Sequence, residues 1–414
     1  GCKPKKTVYV FEELENNLHP SIQRNLFNTT NFAIKITKGY IISGRKVMKK
    51  RSFSVLAAAL ILLALTACSR GNNATDKTQS QGGEKESTIA QAESVTSAVI
   101  VEAVPKNKVY VDPQWVYTLV EGMQEESKDY VILECSWGEE ADSEVYPKGH
   151  IPGAVHMNTD SIEEEVDWNI RKPDEIGKLL KDYGITKDTT VVCYSDKPEM
   201  SSDDRVAFML LWAGVENVKC LDGGLEAWKK AGLALETQSN APKATDKEFG
   251  ATIPVHPEYI ISIDDVKKEL ADNSNFRLVS IRSKDEFLGK TSGYSYIDRA
   301  GEPKGAVWGH DTDDGSYNNA DGTTVGLDKL EEYLAESGSS INNDLAFYCG
   351  TGWRAAIPFL IAYENGHVTK LYDSGWFVWQ KDSANEVQVG DPASGDVLYT
   401  TVGELSTDKA PKKK

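Results

Sequence analysis

The stretch of sequence that decides the fold is Leu345-Ala346-Phe347-Tyr348-Cys349-Gly350-Thr351-Gly352-Trp353-Arg354-Ala355-Ala356. Its apolar and aromatic first part predicts a buried strand that ends at Cys349, and its alanine-rich last part predicts the start of a helix. The two glycines between them accept backbone angles that other residues avoid, so the connecting turn can be tight. Cys349 is therefore expected in a strand-to-helix turn, where converging backbone N–H groups and the helix dipole stabilise a thiolate.

Arg354 supplies a second feature of a reactive thiol, because its permanent positive charge is expected at the rim of the turn. A thiolate beside such a charge is a candidate nucleophile for covalent chemistry. The alternative is a structural cysteine, since free cysteine is among the residue types most often buried. The glycines and the arginine favour chemistry at Cys349 over packing.

The spacing between the cysteine and the arginine points to a family. Cys-x4-Arg resembles the active-site loop of rhodanese-type sulfurtransferases, in which the cysteine carries a persulfide cradled by the loop amides. Related protein phosphatases have one more residue in this loop, which widens the cradle to fit a phosphate. The resemblance implies that Cys349 and Arg354 are catalytic. It also implies an active-site loop formed by Gly350, Thr351, Gly352 and Trp353.

Further motifs of this family occur twice along the chain, in the same order. Residues 149–154 read Gly-His-Ile-Pro-Gly-Ala, the family's turn in full, and residues 305–306 close a weaker form of it. Residues 221–228 resemble the family's C-terminal signature, and residues 371–379 are its later counterpart. Asp222 and Asp373 of the two signatures lie 151 positions apart (373 minus 222), and Ala154 and Ala306 of the two turns lie 152 apart (306 minus 154). The repeat therefore has the length of a domain and not of a solenoid unit.

This repeat predicts an α/β fold with two tandem rhodanese-like domains, each a mostly parallel sheet with helices on both faces, because strands alternate with helices in both copies. A chain of 414 residues is long enough to bury two cores. Residues 108–240 are assigned to the first domain and residues 258–381 to the second, catalytic domain. Residues 382–414 are interpreted as a polar C-terminal tail, within which residues 397–402 are a candidate edge strand.

The two copies differ at the nucleophile. When the strand ends are aligned, Ser195 takes the position of Cys349. The next arginine, Arg205, follows only after a loop that is too long and too acidic to cradle an anion. Cys193 falls two residues before that position, so its side chain is expected in the layer under the sheet. The first domain is therefore predicted to be a non-catalytic partner that shapes the cleft.

The resemblance also implies a substrate site. Arg282, in a segment similar to the family's Asp-x-Arg motif, is a candidate for binding an anionic donor, and the alternative is a structural salt bridge. Glu286 stands where two-domain thiosulfate enzymes carry an arginine, so the choice between thiosulfate and 3-mercaptopyruvate as donor stays open. Tyr294 and Tyr296 either line the cleft or pack as ordinary aromatic residues. The predicted enzyme moves sulfane sulfur to a thiol or cyanide acceptor through a persulfide on Cys349.

Two other functions are kept as alternatives. One is a surface lipoprotein that binds a persulfide or an oxyanion without turnover, although such a protein would not need a nucleophile. The other is an arsenate reductase or phosphatase, which the length of the loop disfavours.

A net charge of −17 argues against nucleic acid as a partner. The sequence has no Cys-x2-Cys pair or histidine cluster with the spacing of metal ligands, so neither a metal nor a cofactor is expected.

The compartment is predicted from the N-terminal part of the chain. Residues 48–67 combine a positive start with a short apolar stretch and resemble a bacterial lipoprotein signal peptide, the alternative being an uncleaved anchor. The resemblance implies that Cys68 is lipidated and begins a mature protein held on the extracytoplasmic face of the bacterial cell membrane. Residues 68–107 are polar and are predicted to form a flexible tether. Residues 1–47 precede the signal and are interpreted as an extraneous, mis-joined segment.

Overall fold

The computed structural model describes residues 104–196 and 201–407. All of them belong to one compact unit, Ser94–Lys414. Residues 1–103 lie outside the described residues, and they include the predicted signal peptide, Cys68 and most of the predicted tether. The predictions made for those segments therefore stay predictions.

The first domain is built on a five-stranded sheet. Its strands are β1 (Tyr110–Val111), β2 (Tyr130–Ser136), β3 (Val155–Asn158), β4 (Thr190–Tyr194) and β5 (Asn217–Leu221). They lie in the order β1-β5-β4-β2-β3, and all four pairings are parallel. Its helices are α1 (Pro113–Val120), α2 (Pro173–Asp182), α3 (Ser202–Ala213) and α4 (Gly224–Lys230). Every residue of β4 is buried, because side chains from helices cover both faces of the sheet.

The second domain repeats this plan, which confirms the predicted fold class. Its strands are β6 (Phe276–Ser280), β7 (Glu302–Pro303), β8 (Val307–Trp308), β9 (Asp344–Tyr348) and β10 (Lys370–Leu371). Its helices are α5 (Ile263–Asp272), α6 (Lys284–Phe287), α7 (Leu327–Glu336), α8 (Trp353–Glu364) and α9 (Gly375–Trp379). Four strands form a parallel sheet in the order β10-β9-β6-β8. The central strand β9 thus leads directly into the loop that carries Cys349.

Residues 386–401, which were assigned to a polar tail, contain two strands. Strands β11 (Glu386–Asp391) and β12 (Asp396–Thr401) form an antiparallel hairpin, and β11 also pairs with β7. The predicted edge strand is confirmed, since β12 lies at the edge of this three-stranded sheet. The sequence pattern of β11 predicts an exposed segment because Gln388 is polar, but this side chain is fully buried. Its amide oxygen accepts from Gly305 N–H and its amide nitrogen donates to the Ala306 carbonyl, both at 2.9 Å.

The two domains share one continuous hydrophobic core at their interface. Helix α3 of the first domain packs against helix α8 of the second, and the rings of Phe208 and Phe359 meet edge to face with centroids 4.7 Å apart. Every residue of α3 is buried, as expected of a helix enclosed between two sheets. Since α8 begins directly after the Cys349 loop, the domain interface also positions that loop.

None of the helices in the described part of the chain combines the length and the apolar character needed to cross a membrane. In residues 104–196 and 201–407, no cluster of three or more His, Cys, Asp and Glu side chains has a geometry that could hold a metal ion.

Candidate active site

Cys349 lies directly after strand β9 and is 1% exposed. The backbone N–H of Gly352 donates to Cys349 Sγ at 3.2 Å. Helix α8 begins one residue later, at Trp353, so the first-turn amides of that helix, which have no intrahelical acceptor, lie at the same end as the sulfur. The helix dipole is positive at this end. The strand-to-helix turn that the sequence predicts is therefore present, with its amide donor aimed at the thiol.

Two glycines allow this turn to close. Gly352 has φ of 93°, and a Cβ placed on it would lie 2.7 Å from Arg205 Nη1 and 2.8 Å from Asp373 Oδ1. A Cβ on Gly350 would lie 2.5 Å from the ring of Tyr294. Both positions therefore exclude any larger residue, Gly352 through its backbone angle as well as through contact.

Arg354 lies at the base of the loop and not at its rim. The side chain is 5% exposed, and its guanidinium makes a bidentate ion pair with Glu286, both distances being 3.0 Å. It also donates to Asp311 at 2.7 Å and to the Tyr294 hydroxyl at 2.6 Å. Burial alone would raise the pKa of Glu286, but Arg354 and Arg282 together hold it well below its ordinary value. The positive charge of Arg354, expected at the exposed rim, is therefore buried and is balanced by the carboxylates of Glu286 and Asp311.

Arg282 is also fully buried, with 0% exposure. It pairs with Glu286 at 3.2 Å and with Glu302 at 2.7 Å, and it donates to the carbonyls of Gly301 and Ser292. This geometry favours the ion-pair alternative for Arg282 over donor binding. Glu286, which stands where two-domain thiosulfate enzymes carry an arginine, is neutralised by Arg282 and Arg354.

The first domain contacts the Cys349 loop through Glu163, a residue that the sequence analysis did not identify. Its carboxylate accepts the Trp353 indole N–H, at 2.9 Å and 3.0 Å for its two oxygens, and pairs with Arg205 at 2.8 Å. Arg205 in turn pairs with Asp373 at 2.6 Å. These contacts join positions more than 40 residues apart, so no local sequence signal indicates them.

In the first domain, Ser195 occupies the position that corresponds to Cys349. Ser195 follows β4 as Cys349 follows β9, and its hydroxyl donates to Asp203 at 2.8 Å. Cys193 is fully buried in the core between the sheets. Arg205 serves the domain interface instead of cradling an anion.

Aromatic side chains from both domains form a surface beside the thiol. Trp168 of the first domain stacks on Phe377 with centroids 4.9 Å apart and meets Tyr296 edge to face at 4.7 Å. Tyr294 lies 5.2 Å from Tyr296. Burial raises the pKa values of both tyrosines, and the nearby Cys349 sulfur raises them further. The two tyrosines therefore border the Cys349 site. Together with Trp168 and Phe377 they form a surface that we call the aromatic wall.

Comparison with known proteins identifies the class. The family model for the rhodanese-like domain matches residues 115–231 and 262–382, which together make up more than half of the chain. The chain therefore belongs to the rhodanese family and contains two domains of that type. The predicted family and tandem organisation are confirmed.

Individual relatives indicate which activity this family member has. Thiosulfate sulfurtransferase YnjE of Escherichia coli (strain K12) is 35% identical over 299 residues, covering 70% of this chain and 67% of the relative. A putative thiosulfate sulfurtransferase of Haloferax volcanii is 27% identical over 278 residues, covering 66% of this chain and 93% of the relative. With two rhodanese domains and such relatives, the chain is a sulfurtransferase.

Solved structures show the same likeness. The crystal structure of YnjE superposes with a TM-score of 0.64 at 34% identity, covering 70% of each chain. The anaerobic ergothioneine biosynthesis enzyme from Chlorobium limicola, in complex with its natural substrate trimethyl histidine, gives a TM-score of 0.63 at 34% identity, covering 69% of this chain and 71% of that one. A variant of EanB that carries a cysteine persulfide and is bound to ergothioneine gives 0.64 at 34% identity, with the same coverage.

Proposed function

We propose that Cys349 carries the sulfur in a two-step transfer. In the first step the Cys349 thiolate attacks the outer sulfur of thiosulfate, the S–S bond of the donor breaks, and sulfite leaves with the bonding electron pair. In the second step an acceptor thiolate or cyanide attacks the terminal sulfur of the persulfide. The acceptor leaves with one more sulfur, and the Cys349 thiolate is restored.

The main support for this proposal is the hydrogen bond from Gly352 N–H to Cys349 Sγ at 3.2 Å. It lies inside a loop of four residues, 350–353, between Cys349 and Arg354. A loop of that length closes around one sulfur and leaves no room for a tetrahedral oxyanion, which speaks against a phosphatase or arsenate reductase. A protein that only binds an oxyanion has no use for a thiol at the start of a helix.

The order of the two steps is tested by steady-state kinetics with thiosulfate and cyanide. Transfer through a persulfide predicts parallel lines in double-reciprocal plots, because the donor product leaves before the acceptor binds. Repeating the assay with 3-mercaptopyruvate establishes the donor. Intersecting lines with every donor would mean that both substrates bind together and would contradict the two-step mechanism.

The aromatic wall supports a second candidate for the acceptor, an imidazole that carries a quaternary ammonium group. Aromatic faces attract such cations, and an imidazole ring stacks on them. The arginines near the loop are each compensated by carboxylates, so they do not oppose a cationic acceptor. In this reaction the terminal sulfur of the Cys349 persulfide is inserted into a C–H bond of the imidazole, and the cysteine returns as a thiol.

This acceptor is tested with trimethyl histidine and a polysulfide donor, with mass spectrometry of the small-molecule product. We expect a product heavier by one sulfur. In the Tyr296→Ala variant we expect kcat/KM for trimethyl histidine to fall more than kcat/KM for cyanide, by about fivefold or more in their ratio, as the loss of one cation–π contact implies. No sulfur-containing product with the wild-type protein would exclude this acceptor.

We also propose that the enzyme is a lipoprotein on the extracytoplasmic face of a bacterial membrane. The support is in the sequence: a positive start and a short apolar stretch in residues 48–67, then Cys68 and the polar residues that follow. Two acyl chains on Cys68 would suffice for stable anchoring, where one chain would not.

Replacing Cys68 by alanine should remove the lipid anchor. The precursor should stay uncleaved at this site, because the signal peptidase acts on the lipidated cysteine, and membrane fractions should contain no acylated mature protein. The measurement is metabolic labelling with a fatty acid, with Cys135→Ala as the matched control, since Cys135 is buried in the first domain. Wild-type protein that takes up no label would contradict the proposed anchor.

A further inference from the structure

We propose that Glu163 and Arg205 of the first domain are positioning residues of the Cys349 site, and that they hold the catalytic loop in its thiol-binding conformation through Trp353 and Asp373. This inference rests on the proposed role of Cys349 in sulfur transfer. It gives the domain without a nucleophile a specific task in the reaction, beyond forming one side of the cleft.

The first contact is made by Glu163, on the loop that precedes α2. Its two carboxylate oxygens lie 2.9 Å and 3.0 Å from the Trp353 indole nitrogen. Trp353 directly follows Gly352, whose N–H binds the sulfur. Glu163 is 6% exposed, so water competes little for this hydrogen bond. Holding the indole therefore fixes the residue that follows the sulfur's hydrogen-bond donor.

The second contact is the ion pair of Arg205 with Asp373. Arg205 has no exposed surface, and its Nη1 lies 2.6 Å from Asp373 Oδ1. Both atoms lie within 3 Å of the position that a Cβ on Gly352 would occupy, so the ion pair packs directly against the backbone of the turn. The first domain binds Asp373 a second time, since Ile170 N–H donates to its other oxygen at 2.8 Å.

The segment that follows Asp373 contacts the other side of the Cys349 loop. Three and four residues later, Trp376 N–H donates to the Cys349 carbonyl at 2.8 Å, and Phe377 N–H donates to the Gly350 carbonyl at 3.0 Å. The loop is thus held from the indole side by Glu163 and from the carbonyl side through Asp373. Both supports depend on the first domain.

The test uses the full chain and compares Glu163→Ala, Glu163→Gln and Trp353→Phe with the wild type. Each protein is assayed for sulfur transfer and for the rate at which iodoacetamide alkylates Cys349. We expect kcat to fall about 100-fold in Glu163→Ala with KM changed less than threefold, because a small displacement of a reacting group costs that much. Glu163→Gln retains an acceptor for the indole N–H and should recover part of the loss.

Trp353→Phe removes the indole N–H but keeps an aromatic ring, so it tests the same contact if Glu163→Ala does not fold. It should also lower kcat and change the alkylation rate of Cys349. The matched control is Glu165→Gln, at an exposed carboxylate two residues from Glu163, which should match the wild type. A folded Trp353→Phe protein with wild-type kcat and alkylation rate would overturn the proposal, and so would a folded Glu163→Ala protein that keeps both.

The alkylation assay needs no sulfur donor, so it separates two kinds of failure. If the wild type transfers no sulfur, the proposed function fails, but the effect of Glu163 on the thiol is still measured. If sulfur transfer is present and the Glu163 and Trp353 variants leave both rates unchanged, only the positioning role fails.

A pH measurement tests whether Glu163 is an ionisable group buried against Arg205 and Trp353, as the proposed contacts require. Burial raises the pKa of Glu163 from 4.5 to about 7, against the opposing effects of Arg205 and the Trp353 indole. Asp373 and Tyr296 are the other ionisable groups near it. A raised acid pKa gives stability that is full below the unfolded value and is lost as the pH rises through the folded value. Relative to Glu163→Gln, the wild type should therefore lose stability between about pH 4.5 and pH 7 and stay level above that; equal pH profiles would contradict a buried, ionisable Glu163.

Discussion

Replacing Cys349 by serine should abolish sulfur transfer while leaving the protein folded. A serine hydroxyl is far less acidic and far less nucleophilic toward sulfur than a thiol, and it cannot carry a persulfide. We expect activity to fall to the background of the assay, by at least about 1000-fold, as for the loss of other covalent nucleophiles. The measurement is thiosulfate-to-cyanide transfer, with circular dichroism to confirm the fold.

The matched control for this variant is Cys193→Ala. Cys193 is fully buried in strand β4 of the first domain, two residues before Ser195, which takes the position of the nucleophile. Its loss removes only a small volume from the core, so activity should be retained. Substantial transfer by Cys349→Ser, or loss of transfer in a folded Cys193→Ala protein, would contradict the assignment of the nucleophile.

Replacing Arg354 by alanine should lower the free energy of unfolding by about 3–5 kcal/mol, the usual cost of removing one partner from a buried ion pair. Without Arg354, Glu286 keeps only Arg282 as a cationic partner, and Asp311 loses the guanidinium at 2.7 Å. Both carboxylates are at least 96% buried, so water cannot replace the lost charge. The measurement is denaturant unfolding at neutral pH.

The control for this variant is Arg277→Ala in the same domain. Arg277 is partly exposed, and its guanidinium donates to the carbonyls of Ser274 and Phe276 without an ion pair. We expect a change of about 1 kcal/mol or less for it, as for most surface substitutions. Equal effects of the two variants would mean that Arg354 is not the centre of a buried charge cluster.

The sequence predicted most of the sheet because its central strands are strongly patterned. Strand β9 (Asp344–Tyr348) ends directly before Cys349, where the apolar run predicts the end of a strand, and β4 ends directly before Ser195, as the alignment of the two copies predicts. In α/β domains such strands are apolar along their whole length, and the glycine-rich turn after β9 identifies its end. The loop with Cys349 was therefore placed correctly from local signals alone.

The supports of that loop were not predictable in the same way. The sequence shows Arg354 near a cysteine but does not show that Glu286 and Asp311 surround its guanidinium, 68 and 43 positions away along the chain. It led us to expect an exposed charge where the structure has a buried network. Likewise, Glu163 is one of several acidic residues in its segment, and only the packing of two domains brings it to Trp353.

Strand β11 of the C-terminal hairpin is a further feature that could not be predicted from the sequence. Strand β11 begins with Glu386 and ends with Asp391, and its central Gln388 is polar, so its composition predicts solvent exposure. Its partner β7 has only two residues, one of them a proline, and carries no strand signal of its own. Gln388 can be buried in this strand because its side-chain amide finds hydrogen-bond partners at residues 305 and 306.

Mass spectrometry of the purified protein after incubation with thiosulfate tests the central claim most directly. The Cys349 thiolate, bound by the Gly352 N–H, should take up the sulfane sulfur. We predict a gain of one sulfur atom on the peptide that contains Cys349, lost again on treatment with cyanide. No gain with thiosulfate, 3-mercaptopyruvate or polysulfide, or a persulfide found on Cys193 instead, would contradict the account.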